Sequence, residues 1–189
     1  MTRIIAGAAG GTRLDVPGSG TRPTSDRVRE SLFAALESMD AIDGARVLDL
    51  YAGSGALGLE ALSRGARSAV LVERGRPAAA VIRRNITAVQ KARAGAADAS
   101  LRETAVRAYL ARAAGPFDLV FSDPPYDLSD ADMTADLVAL APLLDPEAVV
   151  VVERARRSTP PEFGAAGLEL IRERSYGDTM LWWAEPAGV

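Results

Sequence analysis

The sequence predicts a single α/β domain built on a mostly parallel sheet, and three observations support this prediction. A chain of 189 residues has the length of one domain. After Gly44, short apolar runs alternate with amphipathic segments, which is the pattern of βα units around a parallel sheet. Near the C-terminus, Gly177 and Asp178 separate two strand-like segments, and this hairpin signal adds an antiparallel pair. We therefore expect one domain over residues 1–189 with a seven-stranded sheet.

The predicted elements follow from the spacing of apolar residues and from turn residues at their ends. The strands are predicted at residues 46–50, 69–72, 100–104, 117–122, 148–153, 168–176 and 179–184. The helices between them are predicted at residues 57–64, 77–90, 107–113 and 130–140. Among the first five strands, the apolar ones are suited to burial on both faces, as a parallel sheet requires.

Residues 1–23 precede this alternation and are predicted to form an N-terminal extension. Residues 3–5 and 12–14 flank a connection rich in glycine and alanine, so we expect a short β-hairpin there. A helix follows, with Thr24 or Ser25 as its N-cap and apolar residues at three- and four-residue spacings.

The composition excludes several classes of catalytic site. The chain has neither cysteine nor histidine, which excludes disulfides, thiolate or histidine metal sites, cysteine nucleophiles and Ser-His triads. We expect no metal, and a catalyst of this composition works with carboxylates, hydroxyls, arginine, backbone dipoles or a bound organic cofactor. No apolar run approaches the ~20 residues of a membrane span, and no signal peptide is evident. We therefore expect a cytoplasmic protein that has no membrane partner.

A glycine turn after the first parallel strand predicts a cofactor site. Gly53, Gly55 and Gly58 open the following helix, where the backbone can approach a ligand closely and helix N–H groups are free. The spacing also fits a dinucleotide fingerprint, with Glu73 placed for ribose hydroxyls or simply solvated. Asp49 favours another ligand, because it repels a pyrophosphate by on the order of 3–4 kcal/mol and attracts the ammonium group of S-adenosylmethionine. Alternatively, Asp49 is a hydrogen-bonded turn residue that faces away from the ligand.

The segment Asp123-Pro124-Pro125-Tyr126 follows the strand predicted at residues 117–122 and provides groups that hold a planar amine. The prolines remove two backbone N–H groups, which leaves carbonyl and carboxylate acceptors with few competing donors. The ring of Tyr126 is suited to cover a base, since base–aromatic stacking contributes roughly 1–3 kcal/mol. The alternative is an ordinary proline-rich turn with a capping Asp123.

The two motifs project from the same sheet edge, because the carboxyl ends of parallel strands lie together. In this respect the chain resembles a class I, Rossmann-like methyltransferase that uses S-adenosylmethionine and acts on an amino nitrogen. It is further similar to bacterial 16S ribosomal RNA guanine-N2 methyltransferases of the RsmD type, in RPTSDRVRESLF at residues 22–33 and RIIAG at residues 3–7. The likeness covers nearly the whole chain and implies guanine 966 of 16S rRNA as the substrate, in a small-subunit particle. The residues themselves imply only an amino group on a planar base. We expect a monomer.

The resemblance also implies roles by position. The cofactor is then held by Asp49, Tyr51, Gly53, Gly55 and Glu73, and the guanine is held by the catalytic residues Asp123, Pro124 and Tyr126. One position departs from the family, because Ala105 stands where many relatives have an acidic or polar residue. We expect backbone groups of Ala105 and Val106 to contact the adenine instead.

Basic residues are concentrated near the N-terminus of a chain whose net charge is −3. The first 36 residues carry five arginines against three acidic residues, a local charge of +2: Arg3, Arg13, Arg22, Arg27 and Arg29. We expect these arginines to contact RNA phosphates. Alternatively, Arg27 and Arg29 form exposed ion pairs with Asp26 and Glu30. A second basic cluster at residues 154, 156 and 157 is predicted to be solvated surface.

Three other functions stay open at this point. A methyltransferase acting on adenine N6 or on another amino group shares both motifs. A non-catalytic RNA-binding or ribosome assembly factor shares the fold. A nicotinamide-dependent oxidoreductase is disfavoured by Asp49 and by the absence of a histidine or cysteine acid–base group.

Overall fold

The computed structural model describes residues 2–18, 26–93 and 98–188. The strands are β1 (Thr2–Arg3), β2 (Arg13–Leu14), β3 (Arg46–Leu50), β4 (Ser68–Glu73), β5 (Asp98–Glu103), β6 (Phe117–Ser122), β7 (Leu144–Ala155), β8 (Leu168–Tyr176) and β9 (Thr179–Pro186). The α-helices are α1 (Asp26–Ser38), α2 (Ala56–Ser63), α3 (Arg76–Ala92), α4 (Val106–Leu110) and α5 (Asp130–Leu140), with 3₁₀ turns at Ala141–Leu143 and Phe163–Ala166. Within the described ranges, no helix has the length and apolar composition that a membrane crossing requires.

Seven strands form one sheet in the order β5-β4-β3-β6-β7-β9-β8. The pairs from β5 to β7 are parallel, whereas β9 lies antiparallel between β7 and β8. The predicted mostly parallel sheet with an antiparallel C-terminal pair is confirmed. Strand order reverses at β3, and a crevice for ligands forms at such a switch point.

Helices cover both faces of the sheet. Alternate residues of each strand point to opposite faces, so Val47 joins a core with α1, α2 and α3 while Leu48 joins a core with α4 and α5. The adjacent residues Trp182 and Trp183 divide in the same way and are both fully buried. Burial on both faces explains why the parallel strands are continuous apolar runs.

The observed boundaries of the strands differ most from the predicted ones where the strand ends are polar. Helix α5 and strand β8 match the predicted residues, whereas β7 begins four residues early, at Leu144, because its start pairs irregularly with Phe117 of β6. Strand β5 begins at Asp98, a polar residue that pairs with Ser68 of β4. The predicted N-caps at residues 24 and 25 of α1 lie outside the described residues.

The N-terminal hairpin is confirmed, and its connection is fixed to α2. The N–H groups of Ile5 and Ala6 donate to the two carboxylate oxygens of Glu60, at 2.7 and 3.0 Å. The N–H of Ala9 donates to Ser63 Oγ at 2.9 Å. Both acceptor side chains are buried, so the extension is joined to the domain by hydrogen bonds shielded from water.

We expect Glu60→Ala to lower the free energy of unfolding by about 3 kcal/mol. The substitution leaves the N–H groups of Ile5 and Ala6 without their acceptor, and each buried donor left unsatisfied costs about 1–3 kcal/mol. Urea denaturation measures the loss. Glu37→Ala is the matched control, because Glu37 is an exposed partner of Arg64, which also pairs with Glu60, and its loss costs at most about 1 kcal/mol. Equal losses in the two variants would contradict this account.

Candidate active site

A cavity of about 310 Å³ opens at the carboxyl ends of the central strands, within the usual size range of ligand pockets. Eight of the residues predicted for the cofactor or the base line it: Asp49, Tyr51, Gly53, Glu73, Val106, Asp123, Pro124 and Tyr126. Arg29, predicted as a phosphate contact, also lines it, whereas Gly55 and Ala105 do not. The N-terminal extension supplies part of the wall through Thr2, Val16 and Pro17.

The registers of the parallel strands bring four polar side chains to one level of the sheet edge. Tyr51 follows β3, Glu73 ends β4, Asp123 follows β6, and Glu153 lies in β7. In each case the preceding residue is paired with its counterpart on the neighbouring parallel strand. The sequence prediction did not include Glu153. The signal that identifies it is its place at the end of the strand predicted at residues 148–153, since parallel pairing aligns it with Asp123.

Two carboxylates hold the glycine turn. Asp49 accepts a hydrogen bond from the N–H of Gly58 at 2.9 Å. Glu73 accepts from the N–H of Gly53 at 3.0 Å and from that of Gly75 at 2.7 Å. The alternative prediction for Asp49 was a hydrogen-bonded turn residue that faces away from the ligand. The hydrogen bond is present at one carboxylate oxygen, but Asp49 also lines the cavity.

The two glycines of the turn differ in what surrounds them. Both have positive φ, +57° at Gly53 and +78° at Gly55, a conformation that disfavours other residues. A Cβ at Gly53 would meet only the carbonyl of Tyr51, at 3.9 Å, whereas a Cβ at Gly55 would come within 2.7 Å of the Leu71 side chain. Gly53 therefore leaves open space beside the cavity, and Gly55 permits close packing of α2 on the sheet.

The side chain of Tyr51 is anchored to helix α5. Its hydroxyl donates to Asp136, whose second oxygen accepts from Arg107 Nε at 2.6 Å. Tyr51 itself has a positive φ of 61°, an uncommon conformation for a bulky residue. Burial, together with the Asp136 carboxylate, raises the pKa of Tyr51 well above its ordinary value. Its ring is thus fixed where it lines the cavity.

The segment from Asp123 to Tyr126 leaves β6 directly at the cavity. Pro124 is buried, while 60% of the Tyr126 side chain is exposed. An aromatic ring of that exposure beside a cavity is available to a ligand. A turn follows, in which the N–H of Leu128 donates to the carbonyl of Pro125 at 3.0 Å.

Arg154 holds this loop, and its prediction as solvated surface was wrong. The side chain is buried, and it donates to the carbonyl of Leu128 and to the Asp130 carboxylate, both at 2.7 Å. The prediction failed because these acceptors lie about 25 residues earlier in the chain. Arg156 and Arg157 are exposed, as the same prediction of solvated surface expects.

The cavity is strongly acidic. Burial, with a smaller contribution from Glu73, raises the pKa of Asp49 to about 7, although the Gly58 N–H opposes this shift. Burial also raises the pKa of Asp123 well above its ordinary value, and the charges of Glu153 and Asp49 add to that effect. Among residues 2–18, 26–93 and 98–188, no acidic cluster is arranged to hold a metal ion. The site therefore favours ligands that bring positive charge or hydrogen-bond donors.

The start of α4 forms another part of the wall. Ala105 is the N-cap residue, is exposed, and its carbonyl accepts from the N–H of Tyr109 at 3.0 Å. Its neighbours Thr104 and Val106 line the cavity. Thr104 and the exposed Arg74, which also lines the cavity, were not predicted. Arg74 and Thr104 directly follow the observed strands β4 and β5, and this position near a strand end is the available signal.

The predicted RNA-contacting arginines have different environments. Arg3, Arg13 and Arg27 are exposed, and Arg22 lies outside the described residues. Arg3 and Arg13 are direct cross-strand partners in the N-terminal hairpin. These two exposed side chains therefore form a small cationic patch. Their proximity is unfavourable, because like charges directly opposite each other destabilise a strand pair.

Arg29 is not the exposed cation that the sequence predicts. It is only 1% exposed, and its Nη2 donates to Thr2 Oγ1, to the carbonyl of Arg3 and to Asp26. Its Nε and Nη1 atoms are buried and have no hydrogen-bond partner among the residues that the structure describes. The predicted pairing with Asp26 is present at 2.8 Å, but the guanidinium is buried beneath the hairpin rather than solvated.

Comparison with known proteins agrees with this geometry. Ribosomal RNA small subunit methyltransferase D of Escherichia coli K12 is 40% identical over 176 residues, which cover 93% of this chain and 85% of that protein. A solved hypothetical protein from Thermus thermophilus has a TM-score of 0.82 at 31% identity, and the match covers 98% of this chain and 99% of that one.

The fold is also shared with more distant enzymes. Magnesium protoporphyrin IX methyltransferase of Synechocystis PCC 6803, solved with bound S-adenosylmethionine, has a TM-score of 0.67 at 18% identity, with 84% of this chain and 78% of that one covered. This likeness shows the class I methyltransferase fold. The family described as Conserved hypothetical protein 95 matches residues 2–185. The chain therefore belongs to this family, which includes ribosomal RNA small subunit methyltransferase D.

Proposed function

We propose that this protein transfers a methyl group from S-adenosylmethionine to the exocyclic N2 amino group of a guanine in 16S rRNA, within a small-subunit particle. The observation that supports this most directly is a single cavity lined both by the glycine-turn region and by the Asp123–Tyr126 segment. A methyl donor and an acceptor amine need such a shared site. The name of the Escherichia coli relative, ribosomal RNA small subunit methyltransferase D, supports the RNA substrate.

The residues around the glycine turn fit S-adenosylmethionine. The open space at Gly53 admits a ligand close to the backbone, and the acidic side chain of Asp49 suits an ammonium group. Glu73 retains acceptor capacity for ribose hydroxyls, and Val106 offers an apolar wall for the adenine ring. When bound, the cofactor supplies an electrophilic methyl group on a sulfonium centre.

The Asp123–Tyr126 segment prepares the amine. The N2 lone pair of guanine is delocalised into the ring and is a poor nucleophile. The Asp123 carboxylate and the Pro124 carbonyl each accept one N–H of this amine, which localises the lone pair on nitrogen as bond formation begins. Tyr126 covers the face of the base. Acceptors that are fixed before the reaction act mainly in the transition state.

Asp123 is also placed to receive the proton released by methylation. Its pKa lies well above the ordinary range of a carboxyl group because of burial and its acidic neighbours. A carboxylate with a raised pKa is a better proton acceptor near neutral pH. No stronger base is required, since the amine becomes acidic as it gains the methyl group.

The N-terminal extension is suited to dock the RNA. Arg3 and Arg13 place two exposed positive charges side by side, and a phosphate relieves their repulsion. The same extension contributes Thr2 and Pro17 to the cavity wall. RNA bound to the hairpin is therefore next to the opening through which an unstacked guanine enters.

The direct test supplies radiolabelled S-adenosylmethionine and either free 16S rRNA or small-subunit particles from a strain lacking this protein. Nucleoside analysis of the product should give N2-methylguanosine. If the product is N6-methyladenosine instead, the substrate base is adenine and not the proposed guanine. Absence of transfer to both RNA and particles would contradict the enzyme activity itself.

We expect Asp123→Ala to lower kcat by about 10²- to 10³-fold, the usual effect of losing one fixed transition-state hydrogen-bond partner. The dissociation constant for S-adenosylmethionine should change little, which titration calorimetry measures in parallel. Tyr126→Ala should lose the stacking contribution of roughly 1–3 kcal/mol. The control is Asp127→Ala, an exposed neighbour that does not line the cavity. Near wild-type turnover of Asp123→Ala would remove the role assigned to this residue.

Affinity for S-adenosylmethionine should rise with pH between pH 5.5 and 7. Burial raises the pKa of Asp49 to about 7, and the ionised form of this side chain is the one that pairs with an ammonium group. At lower pH, binding must expel a proton, which weakens the apparent affinity by roughly tenfold over this interval. Asp49→Asn should bind more weakly and lose most of the pH dependence. An unchanged slope in Asp49→Asn would show that another group is responsible.

Arg3→Ser/Arg13→Ser should weaken RNA binding and leave cofactor binding intact. If both arginines contact phosphates, the slope of log affinity against log salt should fall by about 1.4, given roughly 0.7 per contact on single-stranded RNA. Filter binding at several salt concentrations measures the slope. Arg156→Ala/Arg157→Ala removes two exposed arginines from elsewhere on the surface and should leave the slope unchanged. Equal effects of the two double variants would argue against docking by the hairpin.

A further inference from the structure

Glu153 is the acidic side chain of the cavity that the steps above do not use. It lies in β7, directly beside Asp123, because β6 and β7 are parallel and are paired up to the preceding residue of each strand. Neighbouring strands are about 4.8 Å apart, and both residues line the same cavity. Any amine held by Asp123 therefore has a second carboxylate next to it.

The backbone beneath Glu153 is fixed. Strand β7 is hydrogen-bonded on both sides, to β6 and to β9, and Glu153 itself is paired with Leu181. The following residue, Arg154, is buried and bonded to the loop after Tyr126. Glu153 is thus a rigid wall of the site rather than a mobile surface charge.

The nucleobases differ in the group that adjoins their exocyclic amine. In guanine the N2 amine is next to the N1–H donor. In adenine and cytosine the amine is next to an unprotonated ring nitrogen, which is an acceptor. An ionised carboxylate can only accept hydrogen bonds, so two adjacent carboxylates match two adjacent donors and reject a donor next to an acceptor.

We propose that Glu153 selects guanine by accepting its N1–H while Asp123 accepts an N–H of the N2 amine. This inference rests on the proposed guanine-N2 activity and names the residue that distinguishes guanine from other amino-bearing bases. It assigns a specificity-determining role to a side chain outside the glycine turn and the Asp123–Tyr126 segment.

The electrostatics of this carboxylate pair support the assignment. Repulsion from Glu153 contributes to the raised pKa of Asp123, which places the two carboxylates close enough to act on the same ligand. The guanine edge places a hydrogen-bond donor against each carboxylate. An acceptor nitrogen at the position of N1 instead directs its lone pair at Glu153, and a site built for a donor strongly rejects a ligand that lacks it.

The test replaces the target guanine with 2,6-diaminopurine, which keeps the amine at C2 and has an acceptor at N1. The wild-type protein should prefer guanine by at least about 100-fold in kcat/KM for methylation at N2. Glu153→Gln, whose side-chain amide can donate to N1 of the analogue, should lower kcat/KM for guanine by about 10- to 100-fold. In Glu153→Gln, the preference for guanine over 2,6-diaminopurine should therefore fall below about tenfold.

Two further variants make the result decisive. Glu153→Asp keeps the charge but shortens the side chain, so it should also lower guanine turnover and narrow the preference. Glu147→Gln alters an exposed residue near the other end of β7 and should keep the wild-type preference. Thermal unfolding verifies that each variant is folded.

The outcomes separate this inference from the proposed function. If the wild-type protein methylates guanine N2 and the Glu153 variants keep the full preference for guanine, the role of Glu153 is overturned and the activity stands. If the wild-type protein does not methylate guanine N2, both proposals fail. A narrowed preference in the Glu153 variants, with Glu147→Gln unchanged, supports the selection mechanism.

Discussion

The parallel pairing of β3 with β4 and β6, and of β6 with β7, is the constraint on which the site depends. This register aligns Glu73, Tyr51, Asp123 and Glu153 across the sheet edge. A slip of one residue in any strand would turn its side chains to the opposite face. The buried valines and leucines of these strands prevent such a slip, because they fill one core or the other according to their position. Core packing and the placement of the acidic groups therefore have the same physical origin.

Opposite charges are separated between the two parts of the molecule that the proposed reaction needs. The cavity concentrates carboxylates, and burial makes their ionisation unfavourable, as the raised pKa values of Asp49 and Asp123 show. Such a site attracts a sulfonium cofactor and amine donors but repels phosphates. The exposed Arg3 and Arg13 lie on the hairpin instead. A polyanionic RNA can then be held by its backbone while only a neutral base enters the acidic cavity.

The features that short sequence patterns define were predictable, and those that depend on distant partners were not. The seven-stranded sheet, the glycine turn and the exposed aromatic ring of Tyr126 follow from local spacing, turn residues and strand order. The sequence predicted exposed side chains for Arg29 and Arg154. This failed because their hydrogen-bond acceptors lie in segments about 25 residues away in the chain. Glu153 was not predicted, because its position beside Asp123 depends on the register between two strands that are distant in the sequence.

Helix α2 joins two regions that the proposed reaction uses together. Near its start, the N–H of Gly58 is bonded to Asp49, and further along Glu60 and Ser63 hold the N-terminal extension. The helix has eight residues and is about 12 Å long, and nearly all of its side chains are buried. Inserting one residue between these attachments would rotate one relative to the other by about 100°. The spacing of these attachments along the helix thus fixes the hairpin relative to the glycine turn, so a one-residue insertion in α2 would misplace the hairpin even if every existing side chain were kept.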